Sequence, residues 1–174
     1  MSKKNLIGLT REDLTAELSA IDEKPFRAKQ IWHWMYHRGI TDFGAMSNLG
    51  KPLRQKLEAG YEVRRPTVIT EQRSEDGTRK WLLGTADNNA VESVFIPEDD
   101  RGALCISSQV GCTLTCSFCH TGTQQLVRNL TADEIVGQMM VARDTYGEWP
   151  SPKEGRMLSN IVMMGMGEPL YNYE

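Results

Sequence analysis

Gly111-Cys112-Thr113-Leu114-Thr115-Cys116-Ser117-Phe118-Cys119-His120 sets three of the chain's 4 cysteines in one C-x3-C-x2-C run, just after an apolar stretch that reads as a strand. Three thiols this close cannot all pair with one another. The N-terminus, Met1-Ser2-Lys3-Lys4-Asn5, carries no apolar signal core after its lysines, so a disulfide framework explains the run poorly. A tetrahedral zinc site normally draws on two separated pairs, and no second pair follows. Three thiolates on one loop suit a cubane 4Fe-4S cluster with one iron left without a protein ligand. The competing reading is three incidental thiols, or half of a zinc site completed by His120 or a partner.

The surrounding composition is that of an ordinary globular chain. Of 174 residues, 40% are hydrophobic and 25% charged. Apolar runs such as Ile161 to Met164 are far too short to cross a bilayer, and the cytoplasm is the expected location. The net charge of −3 argues against indiscriminate nucleic-acid binding. Lys and Arg exceed Asp and Glu over residues 1–66, whereas acids dominate from 67 onward. That asymmetry fits a docking module for a phosphate backbone beside a catalytic module, or ordinary surface charge.

Upstream of the run, residues 1–62 read as a small helical domain. Thr10 is placed to cap a helix carrying Leu14, Leu18 and Ile21 at helical spacing. Pro25 opens a second helix through Ile31 and Met35 to Gly39, and Leu49 to Leu57 a third, stopped at Gly60. Arg27, Lys29, His33, His37 and Arg38 on the second helix form either a phosphate-binding side or a solvated face. From Thr67 the period changes to two. Asp76-Gly77 and Asp87-Asn88-Asn89 mark turns, so residues 63–98 read as an antiparallel β adapter. Ala103 to Gln109 is the strand that feeds the cysteine loop. Thr131 to Glu134 is a capping box opening a helix with Ile135, Val136, Met139, Met140 and Val141 on its buried side, and Asn160 to Met164 is the next strand. Strand, cysteine loop, helix and strand make one βαβ unit with a parallel pair, and in parallel barrels the chemistry lies at the strands' C-terminal ends.

At the end of that second strand stands Gly165-Met166-Gly167-Glu168-Pro169-Leu170. Glycines there permit close backbone approach to a ligand, and Glu168 offers a charge partner for an ammonium group.

Taken together, the cysteine spacing with Phe118 before its last cysteine, and a Gly-Glu-Pro motif after the next strand, resemble the radical S-adenosylmethionine (SAM) enzymes. Cys105-Ile106-Ser107-Ser108-Gln109-Val110-Gly111-Cys112, Cys119-His120-Thr121-Gly122 and the stretch Pro25-Phe26-Arg27-Ala28-Lys29-Gln30-Ile31 resemble the RlmN family more closely. The resemblance implies an α/β fold: a helical accessory RNA-binding domain at 1–62, the adapter at 63–98, and from 99 to 174 the first βαβ unit of a partial TIM-like barrel. It implies methylation of adenine carbon-2 in 23S rRNA and in tRNA. The cofactors would be a 4Fe-4S cluster on Cys112, Cys116 and Cys119 and SAM contacted by Gly167 and Glu168, with an electron donor such as flavodoxin.

The same resemblance assigns Cys105 as the resolving thiol, which pairs transiently in a disulfide with a methyl-carrying cysteine, and Glu92 as the proton acceptor. Read without it, Cys105 is a packed strand thiol and Glu92 a solvated carboxylate. No cysteine follows Cys119. The chain is therefore expected to be an N-terminal fragment that is inactive alone and leaves apolar sheet edges uncovered. The alternatives are the sister enzyme acting on carbon-8 of the same adenine, and a non-catalytic RNA-binding module with a structural metal site.

Overall fold

Residues 3–173 are described by a computed structural model. After a two-residue strand β1 (Lys4–Asn5), the Thr10 hydroxyl accepts from the Asp13 N–H at 3.0 Å and the Asp13 carboxylate accepts from the Thr10 N–H. This reciprocal cap starts α1 (Arg11–Ala20), satisfying donors that the first turn of a helix leaves free. The second helix, α2 (Phe26–Trp32), runs on as a π-helical turn over His33–His37; α3 (Lys51–Gly60) completes the lobe. Leu14, Leu18, Ile31, Met35, Leu53 and Leu57 bury into one core, and Trp32 and Trp34 pack on its margin. Each such leucine contributes about 1.5–3 kcal/mol by leaving water. A two-residue strand β2 (Tyr61–Glu62) pairs in parallel with β1 and ties the lobe's two ends together.

The sheet is built from β3 (Thr67–Arg73), β4 (Arg79–Gly84), β5 (Ala90–Pro97) and β6 (Gly102–Cys105). A small ladder of β7 (Gln109–Val110) and β8 (Arg128–Asn129) then brackets the cysteine loop, α4 (Ala132–Tyr146) follows, and β9 (Leu158–Val162) rejoins the sheet. The order is β3-β4-β5-β6-β9, antiparallel as far as β6, with β6 and β9 parallel and α4 between them in sequence. The adapter strands and the βαβ unit therefore share one continuous sheet, since β5 pairs with β6 from Val94↔Cys105 to Pro97↔Gly102.

Two local expectations shift. The strand expected over Ala103 to Gln109 stops at Cys105, because the Ser107 N–H turns to the Gln138 side chain and its hydroxyl to the Glu92 carbonyl instead of a ladder. The strand expected over Asn160 to Met164 is Leu158–Val162, with Met164 out in solvent. β3 is an edge strand and is exposed along its whole length.

Two faces follow from the register. Val91, Ser93 and Phe95 of β5, with Trp81, Leu83 and Leu104, bury on the side packed with Val141 and Ala142 of α4. Alternate residues, Glu92 and Val94 with Cys105 opposite Val94, occupy the other face. The lobe is joined to α4 at close range. Asn5 Nδ2 donates to Asp133 Oδ2 at 3.1 Å, and Arg65 pairs with Asp144 and donates to the Gly39 carbonyl. A Cβ on Gly8 (φ +83°) would sit 2.4 Å from the Asp133 nitrogen.

Candidate functional site

The cysteine loop is closed at its neck by backbone bonds. Val127 N–H donates to Val110 O at 2.9 Å and Cys112 N–H to Gln124 O at 3.3 Å. Gly111, at φ +77°, lies so close to Gln125 that a Cβ would come within 2.1 Å of its carbonyl oxygen. Inside the loop, Cys119 N–H donates to Cys116 O at 3.1 Å and Gly122 N–H to Cys119 O at 3.0 Å. All three cysteines are half-buried free thiols, and Phe118 between the last two is 91% exposed. The backbone N–H groups of Gly122 and Thr121 hold the Cys119 thiol below its usual range. Among the described residues no three His, Cys, Asp or Glu side chains converge on a point that would hold a metal ion. A cubane instead takes each thiolate at a different iron. Three thiolates on one short, N–H-rich loop fit that donor set, and Cys112, Cys116 and Cys119 are the residues that would hold it.

The Gly-Glu-Pro loop lies against the start of the cysteine loop. Gly165 N–H donates to Ile106 O at 3.0 Å, and the Ser108 and Gln109 N–H groups both donate to Met166 O. A Cβ on Gly165 would meet Ile106 O at 2.7 Å, and one on Gly167 (φ +97°) would meet Gln109 Cβ at 2.5 Å. The glycines thus serve loop-to-loop contact within the chain. Glu168 caps the turn over Pro169–Tyr171, its Oε1 accepting from Leu170 N–H at 3.1 Å.

Cys105 and Glu92 share the sheet face away from α4. Burial pushes the Cys105 thiol up, partly offset by a hydrogen bond from the Met164 backbone. Glu92 is 46% exposed at its side chain and pairs with Lys80 Nζ at 3.0 Å. A cavity of about 160 Å³ on this face is lined by Thr70, Gln72, Lys80, Leu82 and Glu92.

Several supporting residues escape a motif-based reading. Buried Gln138 of α4 accepts from Ser93 Oγ and the Ser107 N–H and donates to Ser107 O, pinning the bend after β6 to the helix. Ser107 Oγ donates to Glu92 O at 2.6 Å and accepts from Met166 N–H at 2.9 Å. Arg128 grips Glu134 with two bonds and Asp87 with a third, joining β8, the α4 N-terminus and the β4–β5 turn. Arg128 hydrogen bonding holds the Asp87 carboxyl far below its ordinary range. Burial would raise Glu134, but the Arg128 and Thr131 hydrogen bonds outweigh it and leave it lowered. Glutamine in the middle of an apolar strand or helix is the one sequence signal for such residues, because a buried amide must find partners.

A radical SAM methyltransferase from Sphaerobacter thermophilus superposes with a TM-score of 0.85 at 42% identity, covering 98% of this chain and 49% of that one. The mixed α/β fold and its loops thus fall in the structural class of radical SAM methyltransferases. Residues 4–63 match the ribosomal RNA large subunit methyltransferase N-terminal domain. The dual-specificity RNA methyltransferases RlmN of Rhodospirillum rubrum and Paramagnetospirillum magneticum are 72% and 65% identical over 98% and 99% of the chain. The chain belongs to the RlmN family. It spans 40% and 39% of the length of those two relatives. Among the described residues no helix is long and apolar enough to cross a membrane.

Proposed function

We propose that this chain carries the RNA-docking lobe and the first part of the active site of a radical SAM methyltransferase acting on carbon-2 of adenine in 23S rRNA and tRNA. The observation that carries the reading is the apposition of two loops: the three-cysteine loop and the Gly-Glu-Pro loop meet along Ile106–Gln109, beside a sheet face bearing Cys105 and Glu92. The names of the relatives support an RNA substrate of two kinds. On this reading residues 99–174 begin a partial TIM-like barrel. Cys112, Cys116 and Cys119 hold the 4Fe-4S cluster, and Gly167 and Glu168 contact SAM.

When bound, cluster and SAM supply one-electron chemistry that an unactivated ring carbon requires. The chain's own groups do the rest. Glu92 accepts the ring proton, a task its carboxylate performs when ionised and within hydrogen-bond reach of that proton. The Cys105 thiolate attacks the sulfur of the carrier cysteine; the S–S bond forms as the bond from that sulfur to the carbon now joined to adenine breaks, and that carbon keeps the electron pair and takes a proton to become the methyl group. The methyl carrier would be a further cysteine, since the cluster takes up Cys112, Cys116 and Cys119 and Cys105 is the attacking thiol. The isolated chain therefore assembles a cluster without methylating RNA.

Oxygen-free reconstitution with iron and sulfide tests the reading. We expect a brown protein with about four irons per chain, whose spectrum changes on adding SAM, and no methylated adenine by nucleoside mass spectrometry. A colourless, zinc-loaded protein would overturn the cluster assignment. Methylated adenine from the chain alone would overturn its predicted inactivity.

A further inference from the structure

Gln109 is fully buried and its carboxamide stands between the two loops. Its Oε1 accepts from Glu168 N–H at 3.1 Å and from Thr113 N–H at 3.2 Å. Its Nε2 donates to Asn129 Oδ1 at 2.7 Å and to Thr113 Oγ1 at 2.8 Å. Thr113 directly follows Cys112; Glu168 belongs to the second loop; Asn129 lies on β8 at the exit of the cysteine loop. The main chain of Gln109 reinforces the junction, since its N–H donates to Met166 O at 3.2 Å and Gly167 packs against its Cβ. A single amide thus satisfies donors and acceptors from three segments, with its capacity filled.

We propose that Gln109 is a positioning residue that sets the spacing between the cysteine loop and the Glu168 loop, and so the geometry in which one amino-acid sulfonium ligand bridges them. The inference rests on the SAM-binding reading above. Each loop has its own internal bonds: the neck at Val110–Val127 closes the first, and the Glu168 cap shapes the second. Removing the Gln109 amide leaves each loop formed and the backbone bonds to Met166 in place, but loosens Glu168 relative to Thr113 and the cysteine before it, and a ligand held by both loops loses affinity.

The test uses the 174-residue chain, reconstituted without oxygen, in three forms: parent, Gln109→Leu and Gln109→Glu. The readouts are iron content and the SAM-induced change in the electron paramagnetic resonance signal of the reduced protein. Gln109→Leu is expected to retain parental iron while needing at least about tenfold more SAM for the change, the scale of one lost buried hydrogen-bond set. Gln109→Glu, kept protonated by its burial, retains an acceptor for Thr113 and Glu168 and one donor for Asn129 and is expected to respond within about threefold of the parent. A parental response by Gln109→Leu overturns the proposal, and so does parallel loss of iron and response in both variants. Should Gln109→Leu not fold, Gln109→Glu decides: full iron with no response overturns the proposal. A parent that binds iron but ignores SAM overturns the SAM reading and this inference with it.

Discussion

At the scale of single residues, the two glycines of the Gly-Met-Gly-Glu-Pro stretch show how little room the junction leaves. Gly167→Ala must place a Cβ at 2.5 Å from Gln109 Cβ in a left-handed backbone, and Gly165→Ala at 2.7 Å from a carbonyl oxygen. Each is expected to cost about 1–3 kcal/mol, read as a lowered denaturant midpoint, and Gly167→Ala to weaken the SAM response as well. Lys80→Met marks the opposite extreme. The Lys80–Glu92 pair is 43% and 46% exposed, so its loss is expected to change stability by less than about 1 kcal/mol. A larger drop in urea unfolding would mean that the pair is structural.

At the scale of elements, α4 is the member that holds the cysteine loop in place. Thr131→Ala removes the hydroxyl half of its capping box, leaving the Thr131 N–H on Glu134, and is expected to cost about 1 kcal/mol in thermal or chemical denaturation. Gln138→Leu leaves Ser93 Oγ and both polar groups of the Ser107 peptide without their partner, at roughly 2–4 kcal/mol. Normal stability in that variant would show the network is dispensable. Helices were legible in the sequence because capping and periodicity are local: Thr10, Gly60 and Thr131 mark their ends where expected. The cysteine run and the Gly-Glu-Pro stretch were legible for the same reason. The β1–β2 pairing, the early end of β6 and the Gln109 and Gln138 hubs were not, since each depends on partners many residues away. The exposure of β3 escaped too, because alternation reports a strand without saying what covers it.

At the scale of the molecule, the helical lobe and the sheet share α4. Met140 belongs to the lobe core, while Val141 and Ala142 belong to the sheet core. Buried Arg143 donates to the carbonyls of Glu148 and Tyr36 and lies 3.6 Å over the Trp149 ring. The whole is expected to unfold in one step. Fluorescence from Trp32 and Trp34 in the lobe and Trp81 in the sheet, circular dichroism and calorimetry should report coincident transitions; separated midpoints would refute it. Acid should weaken the fold through Arg128. Asp87 and Glu134 sit below their ordinary values of 3.8 and 4.5 when folded, so their contribution is complete above those values and is lost as pH falls through the lowered ones. Arg128→Met is expected to flatten the fall in melting temperature from about pH 4.5 downward, where the ordinary carboxylate values are passed. An unchanged slope would place the acid sensitivity elsewhere.

The contact at Gly8 carries a last consequence. With less than a methyl group of clearance between two backbones, the lobe has no slack to rock on α4. The basic helix and the thiols are then held like jaws of a fixed-gap caliper. Any ligand that spans from one to the other meets a gap whose width the protein does not adjust.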